Sequence, residues 1–264
     1  MTTLQAVFDK ARAEDRAALV GYLPAGFPTK DGAVAAATAM VEAGCDVIEI
    51  GLPYSDPLMD GPTIQDAVHR SLTNGTRIAD VLRTVEGVAK SGAATLVMTY
   101  WNPIDRYGAE RFARDLASAG GVGTITPDLT PEESGPWLAA SKESGIDTVF
   151  LVAPSSPDER IARVAACCTG FVYAASLMGV TGARESVSSA AEGLVKRTRA
   201  HTGLPVCVGL GVGNGAQAAE VAAYADGVIV GSAFIRRLLD APDEKSGLAA
   251  VRELASELAR GVRR

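Results

Sequence analysis

The sequence predicts a single-domain α/β protein, a closed (β/α)8 barrel of the TIM type. Three observations carry that prediction. Eight short apolar segments are each followed by a helical pattern, no Pro/Gly/Ser-rich linker divides the 264 residues, and no dinucleotide fingerprint follows the first strand. Strict alternation of strand and helix argues a parallel sheet. Eight such units in roughly 250 residues match a closed barrel. An open doubly wound sheet should carry a glycine fingerprint where this chain has Leu23-Pro24-Ala25-Gly26-Phe27.

Taken in order, Leu4, Val7, Phe8 and Ala11 give an amphipathic N-terminal helix that the eight-unit count does not need. Residues 18–23 form the first strand. The Ala-rich stretch from Thr29 or Lys30 to Ala43 is helical and stops at Gly44. Residues 47–50 form the second strand, with two helices behind it (63–72 and 78–90) on either side of Asn74-Gly75. Then come strand 95–100, helix 109–119 and strand 122–126. Helix 131–144 follows, with Thr130 as its expected N-cap ahead of Glu132 and Glu133. Strand 146–152, helix 158–166, strand 171–175, helix 188–201, strand 205–208, helix 215–224 and strand 227–230 complete the cycle. A helix starting at Ser232 and another over 247–260 close the chain, so extra helices are expected after strands two and eight.

A net charge of −6 argues against a nucleic-acid binder and supplies no basic membrane patch. Apolar runs fall short of the ~20 residues of a membrane span, and residues 1–16 lack the apolar core of a signal peptide. Cys45, Cys167, Cys168 and Cys207 form no C-x-x-C and have no His beside them, which points to buried thiols in a reducing cytoplasm and to no metal site. His69 and His201 fall in helical contexts and read as surface residues.

In such barrels the chemistry lies at the C-terminal strand ends, here Tyr22, Glu49, Tyr100, Asp128, Tyr173, 209–213 and Gly231-Ser232. Glu49 stands out, because a carboxylate inside Val47-Ile48-Glu49-Ile50 breaks what should be a continuous apolar run. Such a carboxylate is either held in a buried structural pair, or faces a cleft at the strand end with a raised pKa that suits acid–base work near neutrality. Asp56 and Asp60 follow in a loop stiffened by Pro53, Pro57 and Pro62, with Asp56 reading as a hydrogen-bonding neighbour of Ser55. Glycine clusters at 209–213, Gly231-Ser232-Ala233 and Gly179-Val180-Thr181-Gly182 converge on adjacent strand ends and suggest a phosphate site. The six lysines (Lys10, Lys30, Lys90, Lys142, Lys196, Lys245) all fall in or beside helices, so a Schiff-base mechanism lacks its nucleophile. What remains is carboxylate and tyrosine chemistry, with Glu49, Asp60 and Asp128 as candidate carboxylates beside Tyr100 and Tyr173.

The stretch from Ile48 to Gln65, Ile-Glu-Ile-Gly-Leu-Pro-Tyr-Ser-Asp-Pro-Leu-Met-Asp-Gly-Pro-Thr-Ile-Gln, resembles the signature of tryptophan synthase α chains. The resemblance runs on through Pro24-Ala25-Gly26, Tyr100-Trp101-Asn102-Pro103, Pro127-Asp128-Leu129, Gly179-Val180-Thr181-Gly182, Gly209-Leu210-Gly211 and Gly231-Ser232-Ala233, and so covers essentially the whole chain. It implies a lyase that cleaves indole-3-glycerol phosphate to indole and glyceraldehyde 3-phosphate. Glu49 would be the acid–base and Asp60 the acceptor of the indole N–H. Tyr22, Met98, Tyr100, Tyr173, Thr181 and Leu210 would surround the substrate, while Gly182, Gly211, Gly231 and Ser232 carry its phosphate. It also implies a β chain in an α2β2 assembly, with pyridoxal phosphate in that partner and no cofactor in this chain. Residues 53–61 and 176–190 would be the mobile loops.

The sequence departs from the family's habit at Pro24, Phe27 and Met59, and in the polar strand Gly123-Thr124-Ile125-Thr126. None of these touches Glu49, Asp60 or the phosphate glycines. Two alternatives stay open from sequence: a lyase that needs no partner, and a catalytically weak barrel that activates one.

Overall fold

The computed structural model describes residues 2–175, 184–209 and 211–263. Among the described residues, nine strands form one parallel sheet: β1 (Ala18–Pro24), β2 (Val47–Gly51), β3 (Ala94–Met98), β4 (Gly123–Ile125), β5 (Asp147–Val149), β6 (Leu151–Val152), β7 (Val172–Ala175), β8 (Val206–Gly209) and β9 (Gly227–Val230). Their order is β5-β4-β3-β2-β1-β9-β8-β7-β6. The two ends of that order are pieces of one run, the expected strand 146–152, parted only at Phe150. β5 ladders with β4 and β6 with β7. Thr126 N–H donates to Val149 O at 3.2 Å and Tyr173 N–H to Phe150 O at 3.1 Å, which carries the bonding around. The sheet thus curls into the expected barrel, with its fifth strand shared between two neighbours.

Helices α1 (Leu4–Ala13), α2 (Lys30–Glu42), α3 (Pro62–Thr73), α4 (Ile78–Ala89), α5 (Trp101–Tyr107), α6 (Ala109–Ser118), α7 (Gly135–Ser144), α8 (Asp158–Ala166), α9 (Arg184–Arg199), α10 (Gly215–Ala222), α11 (Ser232–Leu239) and α12 (Glu244–Gly261) surround it. The expected additions are present: α1 before the first strand, α3 ahead of α4, and α11 ahead of α12.

Three elements differ from expectation. α7 begins at Gly135 rather than 131, and Thr130 is not its cap. Pro136 is the reason: proline lacks an N–H and fits only the first helical turn, so a start at 131 would bury it mid-helix. α9 begins at Arg184 and ends at Arg199, earlier at both ends than 188–201. α5 has no counterpart among the expected helices. It is seven residues long and contains Pro103, and it draws support from elsewhere in the chain, as both carboxylate oxygens of Asp128 accept from Trp101 N–H at 2.9 and 3.1 Å.

Alternation along the strands separates two cores. Val20, Val47, Leu96, Ile125, Val149, Phe171, Cys207 and Ile229 belong to the interior set, and Leu4, Val7, Phe8 and Ala11 of α1 pack onto it. Phe8 meets Phe171 edge-on at 5.8 Å. Outward residues such as Leu19, Leu23, Ile48, Ile50 and Val97 join the helix layer. Because α1 closes the end of the barrel where the strands start, only the opposite end, the C-terminal strand ends, is free to hold a site.

That closed end also carries an ion pair. Arg16 and Asp46 are only 8% and 15% exposed, and the guanidinium donates to both carboxylate oxygens at 2.6 and 2.8 Å. Asp46 also accepts from Leu19 N–H at 2.9 Å, and Arg16 donates to Ala17 O and Glu14. The pair fastens the start of β1 to the start of β2.

Among the described residues, all four cysteines are free; Cys45, Cys168 and Cys207 are buried and Cys167 is half-buried. His69 and His201 are exposed. No described helix is long and apolar enough to cross a membrane.

Candidate active site

Interior positions two residues beyond the core layer rise into the barrel mouth: Tyr22 after Val20, Glu49 after Val47, Met98 after Leu96 and Tyr173 after Phe171. Tyr22 and Glu49 are register partners on β1 and β2. Glu49 is 1% exposed, and its Oε1 has no hydrogen-bond partner among the described residues. Desolvation favours the neutral form, and burial pushes its pKa from 4.5 up to about 8. At neutral pH it is a protonated acid with an oxygen free for a ligand.

Tyr22 and Tyr173 stand against it. Burial raises both phenols well above their usual value. The charges of Asp60 and Glu49 add to the effect at Tyr22, and that of Glu49 at Tyr173. Each ring rests over glycine. A Cβ on Gly51 would lie 2.3 Å from Tyr22 Oη, and one on Gly209 would lie 2.3 Å from Tyr173 Oη. Gly209, read from sequence as part of a phosphate cluster, has its inward side taken by Tyr173. We expect Gly209→Ala to displace that ring and to lower kcat/KM for this site's reaction by roughly 10- to 100-fold, since misplacements near 1 Å cost about that much. Gly193→Ala, where nothing lies within 4 Å, serves as the control and should leave kcat/KM unchanged.

Asp60 lies in the loop between β2 and α3 and is half-buried. Burial raises its pKa, while a hydrogen bond from Tyr100 Oη to Oδ1 at 3.2 Å works in the opposite direction. Asp56 is exposed and accepts from Ser55 Oγ at 2.5 Å, as expected for a scaffold residue. Asp128, a candidate from its strand-end position, has both carboxylate oxygens accepting from Trp101 N–H at the start of α5. Sequence reasoning had no way to see that bond, because its partner lies 27 positions away.

Across the mouth, Gly211 sits between β8 and α10 with φ +70°. Gly231 and Ser232 begin α11, whose N-terminus has no side-chain cap and no acidic residue in its first turn. The first amides of a helix lack intrahelical partners and favour an anion. Thr181, Gly182 and Leu210 lie outside the described residues, as does most of the 176–190 loop. Every lysine is helical or at a helix end. A separate cavity of about 460 Å³ lies among Leu52, Ile78, Val81, Pro103 and Tyr107 and includes none of these carboxylates. Among the described residues, no group of three or more His, Cys, Asp or Glu could hold a metal.

What this arrangement can do is limited and specific. It offers one neutral buried acid, one hydrogen-bond-accepting carboxylate, a flat aromatic enclosure and an anion-favouring helix start.

The family model described as tryptophan synthase alpha chain matches residues 8–263. A tryptophan synthase alpha chain from Thermobifida fusca is 61% identical over 266 residues, spanning 100% of this chain and 98% of that one. One from Streptomyces avermitilis is 62% identical, spanning 96% and 92%. Among solved structures, tryptophan synthase from M. tuberculosis in an open form superposes with a TM-score of 0.91 at 54% identity, covering 100% and 99%. The tryptophan synthase alpha subunit of Legionella pneumophila gives a TM-score of 0.90 at 32% identity, covering 99% and 98%.

Proposed function

The chain belongs to the tryptophan synthase alpha chain family, and on that premise we propose that it cleaves indole-3-glycerol phosphate to indole and glyceraldehyde 3-phosphate. The observation that carries the reading is Glu49: 1% exposed, Oε1 unpartnered among the described residues, and held neutral at pH 7 by burial.

A retro-aldol cleavage needs a proton at indole C3 before the C–C bond can break. Glu49 gives it, and the ring nitrogen takes up positive charge. Asp60 accepts the N–H hydrogen bond and stabilises that charge. The Glu49 carboxylate then removes the proton of the glycerol hydroxyl. The C–O bond becomes a carbonyl, and the electrons of the breaking C–C bond return to the ring. Glu49 ends protonated, so one group serves as acid and then as base with no net change. Tyr22, Met98, Tyr100 and Tyr173 enclose the indole, and Gly211, Gly231 and Ser232 supply amides to the phosphate, with the uncapped start of α11 as support. Family resemblance alone assigns Leu210 to the indole, Thr181 to Asp60 and Gly182 to the phosphate.

The partner in this reading is a β chain in an α2β2 assembly that receives the indole and carries pyridoxal phosphate, while this chain, a single cytoplasmic domain, needs no cofactor. Leu58 and Met59 favour it: they are 77% and 53% exposed beside Asp60, where apolar side chains gain from being covered.

Asp60→Asn tests the division of labour. Losing the charge that stabilises the indolenine should lower kcat by roughly 100- to 1,000-fold with a smaller change in KM, read as indole released. A KM change with kcat intact would show that Asp60 only binds.

A further inference from the structure

Tyr100 commits its whole hydroxyl to the loop that carries Asp60. It stands two residues beyond β3 and is 6% exposed. Its Oη accepts from Leu58 N–H at 3.1 Å and from Met59 N–H at 3.0 Å, and donates to Asp60 Oδ1 at 3.2 Å. A phenol has one O–H and two lone pairs, so no capacity remains for a substrate atom. Leu58 and Met59 point their side chains to solvent, so packing does not hold this stretch and hydrogen bonds must. Tyr54, near the start of the loop, lies against the Tyr100 ring with centroids 5.4 Å apart and accepts from Asn102 Nδ2 at 3.1 Å. Gln65 Nε2 donates to Asp60 O at 2.7 Å.

We propose that Tyr100 is a positioning residue whose hydroxyl fixes residues 58–60 through two main-chain amides and aims the Asp60 carboxylate at the substrate's ring N–H. The inference rests on the role given to Asp60 above. Two incoming amides occupy both lone pairs of the phenol, so its O–H has only one direction left, toward Asp60. An ionised carboxylate accepts that bond best, so the shape of the loop and the charge of Asp60 support each other. Tyr22 from β1 is the other titratable group coupled to Asp60, and Glu49 of β2 acts on the same tyrosine.

Tyr100→Phe keeps the ring and removes only the oxygen. Amide exchange at Leu58 and Met59 should rise by about tenfold or more, as expected when protecting bonds are lost. The kcat/KM for indole release should fall roughly 10- to 100-fold, the usual loss for a hydrogen bond to a charged group. The hydroxyl holds the Asp60 pKa down, so its loss should move the acid limb of the kcat/KM profile to higher pH. A merely structural tyrosine would leave that limb in place. In an Asp60→Asn background, Tyr100→Phe should change kcat/KM by less than about twofold, because coupled residues are non-additive, while amide exchange still rises. Unchanged exchange at Leu58 and Met59, or fully multiplicative rate losses, would overturn the proposal. If Asp60→Asn alone keeps the wild-type rate, the role of Asp60 is wrong and the aiming falls with it; the exchange data then report on the clamp by themselves.

Discussion

Glu49→Gln should cut indole release by about 1,000-fold or more, within the range for removing an acid–base group that acts twice, and should at the same time stabilise the protein in alkali. The two effects share one cause. Glu49 is raised from 4.5 to about 8 by burial alone. A group whose folded pKa lies above its unfolded value contributes its full stability below pH 4.5 and loses it as pH rises toward 8. Glutamine has the shape of the neutral acid and no ionisation to lose. The variant should therefore match the wild type near pH 4.5 and exceed it above pH 8 by on the order of 5 kcal/mol. Urea unfolding at pH 5, 7 and 9, beside an indole assay, measures both. Equal stabilities at pH 9 would mean that Glu49 is not a desolvated acid.

Asp46→Ala should have the largest destabilising effect, at the end of the barrel away from the chemistry. It leaves the Arg16 guanidinium 8% exposed without its bidentate carboxylate and removes the acceptor of Leu19 N–H. Removing one member of a buried pair costs about 3–5 kcal/mol because an uncompensated charge remains. Asp46→Asn keeps an acceptor for Leu19 and should cost less. Denaturant midpoints at pH 7 give the order wild type, Asn, Ala, and kcat at temperatures where all three are folded should be equal. If Asp46→Ala unfolds at the wild-type midpoint, the pair is incidental to the fold.

The strands were legible because a parallel strand covered on both faces must be apolar throughout, and Glu49 was legible as the violation of that same rule. The break at Phe150 was not, since it depends on which neighbour each residue meets once the barrel closes. α5 was hidden because a seven-residue segment containing Pro103 has weak local preference, and the Asp128 cap that supports it comes from the next strand end. The start of α7 could have been found, as Pro136 allows only one early-turn placement. Within the site, residue types announced the carboxylates and the helix-start glycines. They could not announce which hydroxyl held which loop: Tyr100 looks from sequence like one more ring in the pocket, yet its oxygen belongs to Leu58, Met59 and Asp60. Gly209 was likewise ambiguous between phosphate contact and room for a ring, a choice that only the position of Tyr173 decides.

The most direct test is to give the purified chain indole-3-glycerol phosphate and to follow indole and glyceraldehyde 3-phosphate together, with and without a tryptophan synthase β chain. The expected result is one indole for each aldehyde, slowly for the chain alone and faster once the β chain is added. Indole formed at full speed without the β chain would contradict the partner-dependent reading, and no cleavage under either condition would contradict the lyase itself.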